Sequence, residues 1–559
     1  METKRYILAI VLCFVVLALY QMVFMKNKPA QEAAQPVAQP SAQTPAAAPP
    51  APAPAEKPAS APGEVKPGVS AAPATAPQYP VVGASAEEQV VVETTLFRAV
   101  WSNKGATLRS WKLLKQLNEQ REPLELVSPR AAEVGRFPFA LETQDAEVAQ
   151  AANAALFRVS SRSLSLRDGE RGELKFEYSD GNSIKAEKAF VFYGGAYDFD
   201  IRVDVWKDGK KVEPRVVWGP GLSELALVEK RQQFGGGNGI AVLAGDKVYR
   251  VAERKYNPEA NAFNFAAWAA YEDNYFTALF INTGAPGSAL FERQALNEKD
   301  AVYFLSVSPP QKGYIGPKEF DRLRALGYQT KKLINFGFFG AIAEILLIAM
   351  KWIHRSIPNW GFAIIIITFI VKVIFFPLTY SSTKSMAKMQ ELQPKIKALR
   401  AKYKKAKQDI GQRRQMNEEM MKLYKEHGIN PAGGCLPMLI QIPVFWGFFR
   451  LLVVAIEFRQ SPFILWIRDL SVKDPYYVTP LLMGATQFIS QKMTPTTADP
   501  SQAKMMLIMP VVMTVFFMNF QSGLVLYWLT NNVLQIGQQY VINQMMAKKK
   551  RETHGQRKK

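Results

Sequence analysis

Six long apolar runs constrain this chain more than any other feature: 6–25, 333–353, 360–376, 436–456, 476–490, and a last one from 505 to 529 and beyond. A chain of 559 residues exceeds one ordinary domain. Its apolar fraction of 48% looks globular as an average, yet the clumping marks a membrane protein. In hydrocarbon, backbone groups must be satisfied internally, so these runs are expected as helices.

The first run, broken only by Gln21, covers roughly 30 Å at 1.5 Å per residue. A signal peptide would carry an apolar region of only about 7 to 15 residues, followed by a small-residue cleavage site. Neither holds, so 1–28 is read as an uncleaved transmembrane anchor. Lys4 and Arg5 precede it and Lys26 and Lys28 follow, which leaves its orientation open.

Residues 29–80 are dominated by Ala, Pro and Gln, with too little to bury to offset their ordering entropy, and read as a disordered tether. Over 81–325, strand-like segments at 90–95, 174–178, 189–193 and 199–206 alternate with turn signals such as Ser179-Asp180-Gly181 and Asp208-Gly209. This predicts an antiparallel β-sandwich. The run Gly235-Gly236-Gly237-Asn238-Gly239 lacks the spacing of a phosphate loop or dinucleotide fingerprint, so a plain loop is expected.

Charge sets the topology. Between Pro377 and Pro431, thirteen lysines and arginines face five acids, and the tail 547–559 is also strongly basic, so both are placed in the cytoplasm. The loop 457–474 balances three bases against three acids and suits the outside. An even number of crossings must then separate the basic loop from the tail. Spans at 431–456 and 475–491 supply two, and splitting the last run at Gln521-Ser522-Gly523 supplies two more, 504–520 and 524–546. Span 357–377 enters from outside, which places the β domain outside and both termini inside. Residues 330–356 cannot also cross without inverting that domain, so they are expected along the outer interface as an amphipathic helix. The predicted fold is a membrane α-helical bundle of six transmembrane helices, five forming the core, plus a large extracytoplasmic β-sandwich.

The net charge of +21 does not point to DNA, because the cations sit beside apolar runs rather than among stacking aromatics; anionic lipids or ribosomal RNA are better-placed partners. Cys13 and Cys435 lie in or beside apolar runs, so no disulfide framework is expected. His354, His427 and His554 are too scattered for a metal set, and neither a Walker motif nor HExxH occurs, so no cofactor and no fuel site are expected.

Polar residues recur inside the spans: Thr368 and Lys372, Gln441, Thr486 and Gln487, Thr514, then Asn531, Asn532 and Gln535. Each is costly in lipid unless it faces a wet cavity or another helix. Lys372, whose charge costs about 2.5 to 3.5 kcal/mol near mid-helix, either snorkels to the inner interface or lines a hydrophilic recess open to the cytoplasm. Arg450 reads as a snorkelling residue. In the basic segment 378–430, Met386, Met389, Leu392, Ile396, Leu399 and Tyr403 form one helical stripe and Met416, Met420 and Leu423 a second. Such stripes pack as a helical hairpin, and methionine permits an adaptable client-binding face as well.

The stretches Asn359-Trp360-Gly361-Phe362, Ser385-Met386-Ala387-Lys388-Met389, Asn430-Pro431-Ala432-Gly433-Gly434-Cys435, Gln441-Ile442-Pro443, Asp474-Pro475-Tyr476-Tyr477, Gln491-Lys492-Met493-Thr494-Pro495 and Ser522-Gly523-Leu524 run in order over the last 200 residues or so. Together with the anchor, tether and external domain, they resemble the YidC/Oxa/Alb family of membrane protein insertases in its Gram-negative form. The resemblance implies a multi-pass inner-membrane insertase and chaperone. It would move nascent membrane proteins into the bilayer through a hydrophilic groove closed toward the outside, alone or with the Sec translocase, without enzymatic chemistry. The groove would be lined by Thr368, Lys372, Gln441, Asn531, Asn532 and Gln535. The family's arginine falls at Lys372, which keeps the charge and loses the planar fork. Family contacts with a substrate helix would fall on Thr368, Phe445, Met483, Phe516 and Tyr527, although from residue type alone the aromatic ones read as packing. The basic loop and tail suit a ribosome. The rival reading is a secondary transporter with a mid-membrane polar site, against which no internal repeat of the spans is seen.

Overall fold

A computed structural model of the chain describes residues 79–118, 120–222, 238–298, 300–403, 409–428, 436–493 and 500–557. The predicted anchor and almost all of the tether lie outside these residues. The chain divides into two compact units at Gly316/Pro317.

The first unit is built from two β-sheets. In the smaller, Pro123–Glu125, Thr107–Leu117, Phe97–Ser102 and Gln89–Glu93 pair antiparallel in that order, and Ser163–Ser165 adds a parallel edge. The larger sheet contains the meander Arg171–Ser179, Ile184–Tyr193 and Asp198–Lys207, with Arg171 opposite Tyr193 and Phe199 opposite Phe192. Its first turn uses Gly181 at φ +78, the left-handed conformation glycine adopts without strain. Period-two alternation sends Phe97, Ala99 and Trp101 from one sheet toward Phe190, Phe192 and Phe199 of the other. Trp101 meets Phe190 at 4.4 Å, and Trp111 meets Phe199 at 5.6 Å. This aromatic layer makes the unit a β-sandwich. Two short helices, α1 (Arg130–Val134) and α2 (Ala146–Ala154), interrupt the strands.

One expectation needs correction. Gly235, Gly236 and Gly237 lie outside the described residues, but Gly239 opens the strand Gly239–Ala244 rather than sitting in a loop. A Cβ there would stand 2.1 Å from the Val251 carbonyl oxygen, so the close cross-strand approach requires glycine.

The second unit is helical: α3 (Phe320–Leu326), α4 (Gly340–Ser356), α5 (Trp360–Ile374), α6 (Phe376–Glu391), α7 (Gln393–Lys402), α8 (Ile410–Glu426), α9 (Leu436–Val454), α10 (Val478–Met493), α11 (Pro500–Phe517) and α12 (Ser522–Arg557). The expected interfacial helix over 330–356 begins only at Gly340; Thr330–Leu333 is a separate 3₁₀ turn. Helix α12 packs against α5, α9 and α10, while α4 packs against α5 and α9. Among the described residues no single helix is long and apolar enough to cross a membrane alone. The pair α5 and α6, bent by 59°, passes that test together.

Glycines set the closest helix approaches. A Cβ at Gly484 would lie 2.0 Å from Thr514 Oγ1, so α10 and α11 meet where no side chain fits between them. Gly361 faces the Phe463 ring in the same way. The turn entering α12 is pinned to the preceding loop: Ser522 N–H donates to the Val472 carbonyl at 2.7 Å and Gly523 N–H to that of Leu470 at 2.9 Å.

Candidate functional site

Helix α5 starts where the Asn359 side chain accepts the Phe362 N–H, while its own amide donates to the Phe463 carbonyl at 2.9 Å. It stops at Phe375 because Pro377 removes the amide that would bond the Val373 carbonyl. Lys372 therefore sits in the last turn before the bend, 8% exposed, and its ammonium donates to Gln535 Oε1 of α12 at 2.8 Å. Three residues further along α12, Gln538 donates to the Lys372 carbonyl at 3.1 Å.

Helix α12 joins its other neighbours in the same manner. Gln441 of α9 donates to Asn531 Oδ1 at 2.8 Å. Trp528 donates to Gln487 of α10 at 3.2 Å, and Asn532 donates to the Met483 carbonyl at 3.2 Å. Positions 528, 531, 532, 535 and 538 recur at three- and four-residue steps, so one face of α12 carries a polar ladder whose rungs end on three other helices.

The structure brings the predicted groove residues together: Gln441, Asn531 and Gln535 are half-buried, and Lys372 is buried beside them. Thr368 is 2% exposed and returns its hydroxyl to the Ile364 carbonyl at 2.6 Å; Asn532 is also buried. The expected substrate contacts divide. Met483 is fully buried, Tyr527 stacks on Phe448 at 4.4 Å, and Phe445 lies among Phe449, Tyr527 and Trp528. Phe516 alone of the five is well exposed, at 47%.

Beyond the bend, Met389, Leu392 and Ile396 are buried against Met420, Leu423 and Tyr424 of α8. Met386 and Leu399 of the expected stripe are only half-buried. Tyr403 hydrogen-bonds Glu419 at 2.8 Å.

One polar residue departs from its expected role, and two polar centres were not foreseen. Arg450, expected to snorkel, donates to the Asn335 carbonyl at 2.5 Å. Lys351 of α4 lies 2.7 Å from Glu457 and 3.0 Å from Asp321; burial opposes its charge, but the two carboxylates outweigh it and hold its pKa above the ordinary value. Asp474 is buried yet accepts from Trp466 Nε1 and from the Thr479 amide and hydroxyl, and those bonds overcome burial and lower its pKa. An Asp-Pro ahead of an apolar run was the available signal for this helix cap.

Two family descriptions divide the chain: YidC periplasmic domain matches residues 89–349, and 60Kd inner membrane protein matches 352–550. A membrane protein insertase YidC of Syntrophus aciditrophicus is 37% identical over 563 residues, covering 97% of this chain and 99% of that protein. One from a Geobacter species is 39% identical over 473 residues, covering 82% of this chain and 85% of its own length. A crystal structure of an active YidC insertase with its first transmembrane domain resolved overlaps 82% of this chain and 94% of that one, with 20% identity and a TM-score of 0.35. With relatives this similar over nearly full length, the chain belongs to the YidC family of membrane protein insertases, inner-membrane proteins with a periplasmic domain.

Proposed function

We propose that this protein receives newly made membrane proteins from the cytoplasm and passes their short polar flanks across the bilayer along the α12 ladder, without covalent chemistry. The observation that carries the reading is the Lys372–Gln535 bond, which pairs a buried ammonium of the short apolar helix α5 with an amide of α12. Helix α5, at 15 residues, extends about 22 Å, less than the roughly 30 Å of a hydrocarbon core. Short helices favour local thinning of the bilayer. Each rung is a bond to an amide from another amide, an indole N–H or one cation, so a polar client segment exchanges one hydrogen bond for another rather than facing oil bare. The client's apolar helix then leaves sideways past the exposed Phe516.

In this reading six helices cross, counting the anchor 1–28, and α4 lies along the outer interface, where Ile345, Ile348 and Trp352 present an apolar face to lipid. Both termini face the cytoplasm. The basic segment of α6 to α8 and the tail meet anionic lipid or a ribosome, and the Sec translocase is a partner for larger clients.

The test is reconstitution of the purified protein into liposomes with a one- or two-span client. Lys372→Ala is expected to lower insertion roughly tenfold, equivalent to about 1.4 kcal/mol of barrier, and Lys372→Arg to retain it. Normal insertion by Lys372→Ala would reassign Lys372 to snorkelling.

A further inference from the structure

Helix α12 grips Lys372 at two points one turn apart. Gln535 takes the ammonium, and Gln538 donates its amide to the backbone carbonyl of the same residue. That carbonyl stands at the end of α5. The amide four residues on, its ordinary helical donor, belongs to Phe376, the first residue of α6 beyond the 59° bend. Gln538 thus supplies a donor from a neighbouring helix at the point where the α5 ladder breaks. Its Oε1 is buried with no partner of its own, so the side chain is held by its donor half alone. A residue present only to fill space would be apolar here.

The consequence lies in what the bend connects. Upstream is the cation; downstream, α6 leads into α7 and α8, zipped through Met389, Leu392 and Ile396. A bond at this last-turn α5 carbonyl fixes both the height of the Lys372 side chain against α12 and the direction in which α6 departs.

We propose that Gln538 is a positioning residue for insertion: it clamps the α5–α6 bend to α12 and so places the Lys372 ammonium on the client path. The inference rests on reading Lys372 as the cation a client meets. Movement of the basic hairpin would reach that cation along the α6–α5 backbone, through the bend that this bond holds.

The experiment is a double-mutant cycle in proteoliposomes with a small client. Gln538→Met keeps the length and helix preference and removes the donor. It is expected to lower insertion about fivefold in the parent protein and to have no further effect beside Lys372→Met. In parallel, spin labels at Lys388→Cys on α6 and Met545→Cys on α12, with Cys13 and Cys435 replaced by serine, are expected to give a broader distance distribution once Gln538 is methionine. Gln538→Asn, one methylene too short to reach, is expected to behave as methionine does. A loss on Lys372→Met with full activity and an unchanged distance distribution in Gln538→Met would overturn the clamp while leaving the role of Lys372 intact. Equal multiplicative losses in both backgrounds would make Gln538 merely structural. No loss on Lys372→Met would remove the reading beneath both.

Discussion

The most unusual single residue is far from the helices. Lys188 lies fully buried on an inward-facing position of the strand Ile184–Tyr193, and its Nζ donates to the carbonyls of Gly105, Ala106 and Phe139 at 2.6, 3.3 and 2.7 Å. All three donor targets have positive φ, and for Ala106 and Phe139 that backbone is strained, so one side chain ties down two tight corners of the sandwich. Burial pulls the Lys188 pKa down to about 7. Between about pH 7 and the ordinary lysine value near 10.4, the unfolded chain binds a proton that the folded one lacks. Domain stability is therefore expected to rise with pH across that window, by up to about 1.4 kcal/mol per pH unit, and to be flat with respect to this group below it. Below that window, where the ammonium has three N–H donors, Lys188→Met is expected to cost about 3 kcal/mol by leaving three carbonyls unpaired, and across it to abolish the slope. Denaturant melts followed by tryptophan fluorescence test this; the same slope in both proteins would refute it. Nothing local in the sequence signals this lysine, because its partners come from segments about 50 and 80 residues away. Lys372 was legible for the opposite reason: a cation inside an apolar run is conspicuous by itself.

At the level of elements, the helices followed from hydrophobic runs, but their rotations did not. Asn531, Asn532 and Gln535 were visible as polar residues in lipid, yet only packing decides that Asn531 turns to Gln441 and Asn532 to the Met483 carbonyl. For the same reason the burial of Thr368, Met483 and Tyr527 could not be read from their types. The contact of α10 with α11 gives a sharp test. Gly484→Ala pushes a methyl into Thr514, whose hydroxyl is already bonded to the Pro510 carbonyl, and is expected to cost about 1 to 3 kcal/mol. Adding Thr514→Ala is expected to restore much of the thermal stability; no recovery would mean the two helices meet elsewhere. In the hairpin, Ile396→Asp places a charge between Leu423 and its partners. Hydrogen exchange in α7 and α8 is expected to rise together, whereas protection retained in α8 would show that the two helices do not depend on each other.

For the whole molecule, apolar runs and strand-and-turn patterning predicted two kinds of region from one sequence, and the two compact units with their separate family matches agree with that division. The bend at Phe375 was not foreseen as a bend, because Pro377 read only as the end of a span. The polar residues of the expected groove are joined by hydrogen bonds, with Gln441, Asn531 and Gln535 half-buried. A client on this path would meet a line of hydrogen bonds that exchange partners. Since α12 runs from the turn at Ser522, external in the proposed topology, toward the basic tail, access along it should be graded. The most direct measurement is cysteine modification by a membrane-impermeant maleimide added from the cytoplasmic side, in a background without Cys13 and Cys435. The account predicts rapid modification at Gln535→Cys, slower at Asn531→Cys and almost none at Tyr527→Cys, with the first two rates raised by a bound client. Equal protection of all three positions, with or without a client, would contradict it.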